Sequence, residues 1–151
     1  MALAIDILAG GRAKSAPEMS LATSYLDRAR DGGRQIGFGP FALKEFDERK
    51  PEKMIAACAA APLVVALDER GKSLTSAAFA KQLARWRDAG ETRATFVIGG
   101  PDGLPALIKQ RAKLVVSFGA QTWPHLLVRA MVAEQLYRAI TILAGHPYHR
   151  P

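Results

Sequence analysis

The sequence ATFVIGGPDG at residues 94–103 couples a mainly apolar segment to a glycine-rich turn. A nearly continuous apolar segment of this length is typical of a parallel strand that is buried on both faces. Residues 63–67 (LVVAL) have the same character, and residues 2–8 and 113–118 are further predicted strands. Together these segments predict a sheet whose central strands run parallel.

The segments between these strands carry apolar residues at helical spacing. Ser15 followed by Glu18 has the spacing of a capping box, and it predicts a helix that ends at the glycines of residues 31–33. Further helices are predicted to begin at Pro51, at Thr75 or Ser76, near Leu104 and at His125, whereas residues 34–46 are predicted to be extended and residues 68–71 to form a turn. Strands that alternate with helices predict an α/β fold with a largely parallel sheet and helices on both faces.

Length and composition limit the class of protein. At 151 residues the chain fits a single domain, which we assign to residues 1–151. The one cysteine, Cys58, excludes an internal disulfide and a thiolate zinc cluster, and it is consistent with a reducing compartment. The longest apolar run, residues 54–67, contains Pro62 and is shorter than the roughly 18 residues of a membrane span. The N-terminus shows no basic region typical of a signal peptide, so we predict a cytoplasmic protein.

The charge is unevenly distributed. The chain has 21 lysines and arginines against 14 aspartates and glutamates, a net charge of +7. Residues 105–151 contain six of these bases and one acid, Glu134. A basic surface of this kind indicates a polyanionic partner such as RNA, although an ordinary solvated surface gives the same pattern.

The helix predicted at residues 125–139 is apolar around most of its circumference. A helix of this composition is buried on more than one side. In a domain of this size the second side is expected to pack against another subunit, which predicts a homodimer. The alternative is a central helix that is buried wholly within one chain.

Two glycine-containing loops follow predicted strands, at residues 99–103 and 117–124. Ligands of parallel α/β sheets bind at the carboxyl ends of strands, so two such loops on neighbouring strands are expected to form one crevice. Neither loop has the Gly-x-Gly-x-x-Gly pattern or a Gly-Lys-Ser/Thr sequence, which argues against dinucleotide and nucleoside triphosphate sites. The alternative is that both loops are structural connectors.

The three histidines, His125, His146 and His149, all lie in the C-terminal part of the chain. Pro147 disrupts helical spacing between the last two, and no acidic residue lies close to them in the sequence, so we predict no metal site. A solvated tail is one interpretation, and a general base or substrate contact is the other. No Gly-x-Ser-x-Gly motif supports a nucleophilic hydrolase.

Five short motifs occur in order along residues 63–151. They read LDERGK at residues 67–72, FVIGGPDG at 96–103, TWPH at 122–125, AEQLYR at 133–138 and GHPYHR at 145–150. Together they resemble the small bacterial methyltransferases that modify N3 of a pseudouridine in large-subunit ribosomal RNA. That family belongs to the SPOUT superfamily of knotted methyltransferases.

The resemblance implies a SPOUT-type fold with a C-terminal deep trefoil knot, a homodimer, and S-adenosylmethionine as the cofactor. This sequence differs from the family at three positions of the cofactor loop. Gly119, Gln121 and Trp123 stand there in place of a serine, a methionine and a smaller apolar residue. The cofactor-binding residues that the resemblance implies are Leu67, Gly99, Phe118, Gly119, Ala120, Gln121, Thr122 and Trp123.

The implied substrate is a pseudouridine in the loop of helix 69 of 23S rRNA, methylated on the assembled ribosome. Arg12, Lys14, Arg138 and Arg150 are the predicted RNA contacts. The N3 proton must leave, so we predict His149 as the base, Tyr148 as a hydrogen-bonding or stacking partner, and Arg129 or Arg138 as a cation that stabilises developing negative charge. An ion pair between Glu134 and Arg138 is the structural alternative for those two residues.

The short C-terminal tail is further predicted to complete the active site of the other subunit. Two alternatives to this function stay open. One is a ribosome- or RNA-binding dimer without activity, and the other is a methyltransferase that acts on another RNA.

Overall fold

The computed structural model describes residues 2–151, and within them five strands form one sheet. The strands are β1 (Leu3–Gly10), β2 (Phe38–Phe46), β3 (Val64–Ser73), β4 (Arg93–Ile98) and β5 (Leu114–Ser117). Their order across the sheet is β2-β1-β4-β3-β5, and every neighbouring pair is parallel. The predicted α/β class with a largely parallel sheet is confirmed.

Helices cover both faces of this sheet. They are α1 (Pro17–Gly33), α2 (Pro51–Ala60), α3 (Ser76–Asp88), α4 (Ala106–Arg111) and α5 (His125–Ala144). One core packs α1, α3 and α5 against sheet side chains such as Ile5, Val65 and Phe96. A second core lies on the opposite face, where α2 and α4 pack on Val64 and Val97. Both faces of the central strands are therefore buried, which explains their continuous apolar sequences.

Several local predictions need correction. Helix α1 is preceded by Ala16, and no side chain caps it, because Pro17 takes the first helical turn and Ser15 lies one residue too early. Residues Arg34–Ile36 form a 3-10 turn rather than a strand, and Gly37 ends that turn with a φ of 84°. Residues 68–71 belong to β3 and do not end it. The cap of α3 is confirmed, since Thr75 accepts a hydrogen bond of 3.0 Å from the amide of Ala78.

Strand β3 continues past β5 in an unusual manner. Leu67 and Lys72 both pair with Val116, so the intervening residues bulge out over the neighbouring strand. Gly71 lies so close that a Cβ on it would be 2.7 Å from the carbonyl carbon of Val115. Only glycine permits an approach of this kind. The polar sequence of residues 68–71 is therefore held in place by a contact between distant parts of the chain.

Helix α5 packs on α1 and α3 through one side. Its buried residues include Ala130, Ala133, Leu136 and Ile140. Leu127 and Met131 are only half-buried, and the helix continues five residues beyond its predicted end to Ala144. One chain therefore covers part of the apolar circumference, and the homodimer stays a prediction.

Candidate functional site

The carboxyl ends of β3, β4 and β5 surround a cavity of about 350 Å³. Its volume lies in the range of roughly 300–1,000 Å³ that is usual for small-molecule sites. Both loops that the sequence singled out line it, because β3 lies between β4 and β5 in the sheet. Seven of the eight residues predicted to bind the cofactor lie on its wall: Leu67, Gly99, Phe118, Gly119, Gln121, Thr122 and Trp123. The eighth, Ala120, is exposed within the same loop.

The turn after β4 is closed tightly on itself. The amide of Gly103 donates to the carbonyl of Gly100 at 3.0 Å, and a Cβ on Gly99 would lie 2.4 Å from the carbonyl carbon of Gly103. Any side chain at position 99 would force this turn open. Backbone groups at the cavity wall are thereby brought within reach of a ligand.

A Gly99→Ala variant tests this geometry. We expect ligand affinity at this cavity to fall by at least about tenfold, because the added methyl group displaces the turn that forms its wall. Calorimetric titration with S-adenosylmethionine measures the effect. Ser20→Ala is the control, since Ser20 is exposed on α1 and does not line the cavity. Equal affinities of Gly99→Ala and the unmodified protein would contradict the expectation.

The loop after β5 is ordered by side-chain contacts. The amide of Gly119 donates to Ser117 Oγ at 3.0 Å, and Gly119 has a φ of 110°, which glycine adopts without strain. Trp123 Nε1 donates to the carbonyl of Phe118 at 3.3 Å, and Thr122 Oγ1 donates to Glu69 Oε2 at 3.0 Å. Glu69 lies in the bulging part of β3, so the loop and the bulge hold each other beside the cavity.

The cavity combines apolar walls with carboxylates. Leu67, Ile98 and Val128 supply surfaces that suit a flat ring. Asp68 supplies a carboxylate, whose pKa is lowered chiefly by the hydrogen bond from the Arg70 amide, against the opposing effect of burial, and also by Lys109 at 3.4 Å. An ionised carboxylate of this kind accepts hydrogen bonds from ligand hydroxyls or faces a ligand cation.

The C-terminal tail folds back onto α5. Tyr148 Oη donates to Glu134 Oε2 at 2.7 Å, and Arg138 donates to the same carboxylate at 2.7 Å. The Tyr148 ring lies edge-on to Tyr137, with 4.6 Å between the ring centroids. The ion pair between Glu134 and Arg138 is confirmed, and it also anchors the tail.

The predicted base, His149, is held by Arg138. The distance between Arg138 Nη1 and His149 Nδ1 is 3.1 Å. Because a guanidinium group only donates hydrogen bonds, Nδ1 accepts this one and the neutral ring carries its proton on Nε2. In this arrangement His149 offers a substrate a hydrogen-bond donor. Its role as the base stays a prediction.

Burial acts on the pKa of Glu134 by raising it, but the hydrogen bonds from Arg138 and Tyr148 outweigh burial, so the pKa lies below its ordinary value of 4.5. The pKa of Tyr148 is raised, first by burial and then by its hydrogen bond to Glu134. Tyr148 therefore stays protonated at neutral pH and acts as a hydrogen-bond donor.

The pH dependence of stability follows from the lowered pKa of Glu134. A carboxyl group whose pKa is lowered by folding stabilises the native state fully above its unfolded value, and that contribution is lost as the pH falls through the folded value. The Glu134→Gln variant should therefore be less stable than the unmodified protein at pH 7, with the gap narrowing below about pH 4.5. Urea unfolding at several pH values measures this difference. Glu52→Gln, an exposed change on α2, is the control, and a gap that is constant with pH would contradict the expectation.

The structure does not bring the tail and the cavity of one chain together. Val128 is the last residue of α5 on the cavity wall, whereas Glu134 and Arg138 hold the tail. Ten residues separate Val128 from Arg138, about 15 Å at a helical rise of 1.5 Å per residue. Tyr148 and His149 are therefore not among the residues that line this cavity in their own chain.

The third predicted catalytic residue, Arg129, is fully buried, with no exposed surface. Its Nη1 is 2.6 Å from Glu45 Oε2, and its Nη2 donates to the carbonyl oxygens of Gly11 at 2.7 Å and Gly10 at 3.2 Å. Glu45 also accepts from the amide of Ala13 at 2.7 Å. These contacts hold the turn after β1, and a catalytic role for Arg129 stays a prediction.

The predicted RNA contacts lie on two surfaces. Arg12 and Lys14 are exposed on the turn that Arg129 holds. Arg150 is exposed on the tail, and Arg138 is partly exposed beside it, with its guanidinium shared between Glu134 and His149. Both surfaces have arginines free for phosphate groups.

The sequence analysis missed Glu45 and Glu48 as site residues. Both lie at or just beyond the carboxyl end of β2, next to the glycine turns of β1 and β4. Charged residues at the end of a predicted strand were a usable signal, because parallel strands end at the same edge of a sheet. Strand order was needed to place them, and the sequence does not reveal it.

Neither a metal site nor a membrane span is found in the described chain. Within residues 2–151, no group of three or more His, Cys, Asp or Glu side chains is arranged to hold a metal ion. No helix among those residues is long and apolar enough to cross a membrane.

The fold and cavity define an α/β protein with a cavity of small-ligand size at the carboxyl edge of a parallel sheet. A family model described as predicted SPOUT methyltransferase matches residues 3–149. The chain belongs to this family of methyltransferases, which confirms the resemblance noted in the sequence.

Relatives of known name resemble the chain over nearly its whole length. Ribosomal RNA large subunit methyltransferase H of Bradyrhizobium diazoefficiens is 47% identical over 157 residues, covering 97% of this chain and 98% of that protein. The protein of the same name from Nitrobacter winogradskyi is 50% identical over 155 residues, covering 95% of this chain and 97% of that protein.

Solved structures with a similar fold are more distant in sequence. A probable methylase family protein from Haemophilus influenzae has a TM-score of 0.56 and 12% identity, covering all of this chain and 72% of that one. A probable methyltransferase from Bordetella pertussis has a TM-score of 0.56 and 17% identity, covering 91% of this chain and 95% of that one. At these identities the likeness concerns the fold alone.

Proposed function

We propose that this protein uses S-adenosylmethionine to methylate N3 of a pseudouridine in the helix 69 loop of 23S rRNA on the assembled ribosome. The observation that carries the proposal is identity of about one half, over nearly the whole chain, to proteins named ribosomal RNA large subunit methyltransferase H. The cavity at the ends of β3, β4 and β5 gives that activity a place in this chain.

The chemistry of the cavity fits S-adenosylmethionine. Bound there, this cofactor supplies a methyl group on a positively charged sulfur. Leu67 and the loop of residues 118–123 surround the apolar part of the cavity, and Gly99 brings the backbone close to a ligand. Carboxylates such as Asp68 suit the hydroxyl groups and the positive charge of the cofactor.

The knot and the homodimer are part of the same proposal. Val116 pairs with both Leu67 and Lys72, and Gly71 lies close to the neighbouring strand. These contacts support a knot in which the chain passes β3 before α5 begins. The half-buried Leu127 and Met131 of α5 support a partner on its open side. The long separation of tail and cavity within one chain supports a site completed by two chains.

In this dimer the tail of one chain acts at the cavity of the other. The Nε2–H group of His149 then donates a hydrogen bond to a carbonyl oxygen of the target base, where negative charge develops as the N3 proton leaves. The Tyr148 hydroxyl stays bonded to Glu134, and its ring is the stacking partner of the base. Glu134 and Arg138 are positioning residues for this tail. Arg129 contributes to the site by holding the turn of Gly10 and Gly11.

The RNA lies across Arg12, Lys14, Arg138 and Arg150 in this proposal. Phosphate contacts position a nucleic acid, and a net charge of +7 favours its approach. A loop nucleotide is accessible to such an enzyme because it is extruded at a lower cost than a paired base. A ribosomal substrate places the protein in the cytoplasm.

The test combines binding with a readout on RNA. The protein is titrated calorimetrically with S-adenosylmethionine, its mass in solution is measured, and it is incubated with ribosomes that lack the modification. One site per chain of a dimer and a new primer-extension stop in helix 69 are expected, because a methyl group on N3 blocks base pairing. Methylation of another RNA alone would contradict the proposed substrate. A folded dimer that binds no cofactor would favour the binding protein without activity.

A further inference from the structure

Three polar side chains converge on the turn after β1. The position that a Cβ on Gly11 would occupy lies 3.5 Å from Glu48 Oε2, 3.7 Å from His125 Nε2 and 4.0 Å from Arg129 Nη2. Gly11 has a φ of 92° and carries no side chain, so this position is open. Glu48 lies in the loop after β2, His125 is the first residue of α5, and Arg129 lies in the second turn of α5. Their polar atoms therefore all lie within about 4 Å of one point beside Gly11.

This point lies between two cavities. His125 is on the wall of the cofactor cavity, and Glu48 lines a neighbouring cavity of about 290 Å³. Gly99 and Gly100 belong to the wall of both. A Cβ on Gly100 would lie only 2.8 Å from Glu48 Oε2, so this carboxylate rests on the turn that closes the cofactor cavity. His125 and Glu48 therefore both lie beside the turn that closes the cofactor cavity.

The reaction needs a proton acceptor. His149 of the tail is one prediction for it, and in this structure both Tyr148 and His149 already hold hydrogen bonds. Arg138 occupies His149 Nδ1, and His149 Nε2 carries a proton. Tyr148 is itself a hydrogen-bond donor to Glu134. Arg129 is paired with Glu45. Among residues 2–151 no ion pair engages Glu48, so its carboxylate is available to balance a new positive charge nearby.

We propose that His125 Nε2 accepts the N3 proton of the target base and that the Glu48 carboxylate stabilises the imidazolium that forms. This inference rests on the proposed function. The electron pair of the N3–H bond stays on nitrogen, which attacks the methyl carbon, and the pair of the breaking carbon–sulfur bond stays on sulfur as a neutral thioether. The proton then passes from His125 to water. The other charged groups around this point are Arg129, paired with Glu45, and the exposed Arg12 and Lys14.

The experiment measures single-turnover methylation of unmodified ribosomes by the full-length protein. His125→Ala is expected to lower the rate by about 100-fold or more, the usual contribution of a general base, with cofactor affinity changed by less than about threefold. Added imidazole is expected to restore part of the rate, which a purely structural role of His125 would not allow. Glu48→Gln is expected to lower the rate by about tenfold or more. Glu52→Gln, an exposed change of the same kind on α2, should leave the rate unchanged.

A second variant separates catalysis from folding. His125→Asn keeps a polar side chain at the start of α5 and should show the same loss, with cofactor titration reporting an intact cavity. Full methylation rates in the His125 variants would overturn the proposal. A lower rate that imidazole does not restore, and that weaker cofactor binding explains, would overturn it as well. An unmodified protein that binds cofactor but methylates no RNA overturns the proposed function, and this inference with it. An active protein with unaffected His125 and Glu48 variants overturns the inference alone.

Discussion

Removal of residues 146–151 is expected to lower methylation by about 10²-fold to 10⁴-fold while cofactor affinity stays within about threefold of the unmodified protein. The reason is the separation of the two parts of the site. The tail is held by Glu134 and Arg138, about 15 Å along α5 from the last residue on the cavity wall. Its loss removes Tyr148 and His149 and leaves the loops of the cavity in place. Single-turnover methylation and calorimetric titration measure the two effects separately.

Mixed dimers decide which cavity the tail serves. Chains without the tail are combined with Gly99→Ala chains, whose tail is intact and whose cavity is damaged. If the tail acts on the partner, each mixed dimer has one complete site, and about a quarter of full activity is expected from random pairing of a twofold dimer. If the tail acts within its own chain, no mixed dimer is active. Loss of cofactor binding on removal of the tail would contradict the whole expectation.

Part of this site was predictable because buried parallel strands have a distinctive sequence. Residues 63–67 are a continuous apolar run and residues 94–98 are apolar except for Thr95, and the structure places both in the interior of the sheet. The loops after β4 and β5 could be assigned to one crevice because parallel strands end at one edge. What the sequence could not supply was the strand order, since neighbours such as β1 and β4 are separated by more than eighty residues.

The remaining errors share a physical cause. Residues 68–71 have the composition of a turn, yet they continue β3, because Ser117 Oγ bonds to the Glu69 carbonyl at 3.1 Å and Gly71 rests on β5. Glu45 and Glu48 become site residues only when β2 is placed beside β1. In each case a contact between distant residues outweighs the local preference, as is common where a backbone serves a functional site.

Replacement of Arg129 by methionine is expected to destabilise the protein by about 3–5 kcal/mol, the usual cost of breaking a buried ion pair. The guanidinium is fully buried and donates to Glu45, Gly10 and Gly11. Its removal leaves the Glu45 carboxylate without its cation and the two carbonyl oxygens without this donor. Arg129→Lys keeps the charge but cannot reach all three acceptors, so an intermediate loss is expected. Arg49→Met, a change at the exposed ion pair with Asp47, is the control and should leave the stability nearly unchanged. Urea unfolding measures all three variants. If Arg129→Met were as stable as the control, the turn after β1 would not depend on this ion pair, and Arg129 would be free for the catalytic role that the sequence predicts.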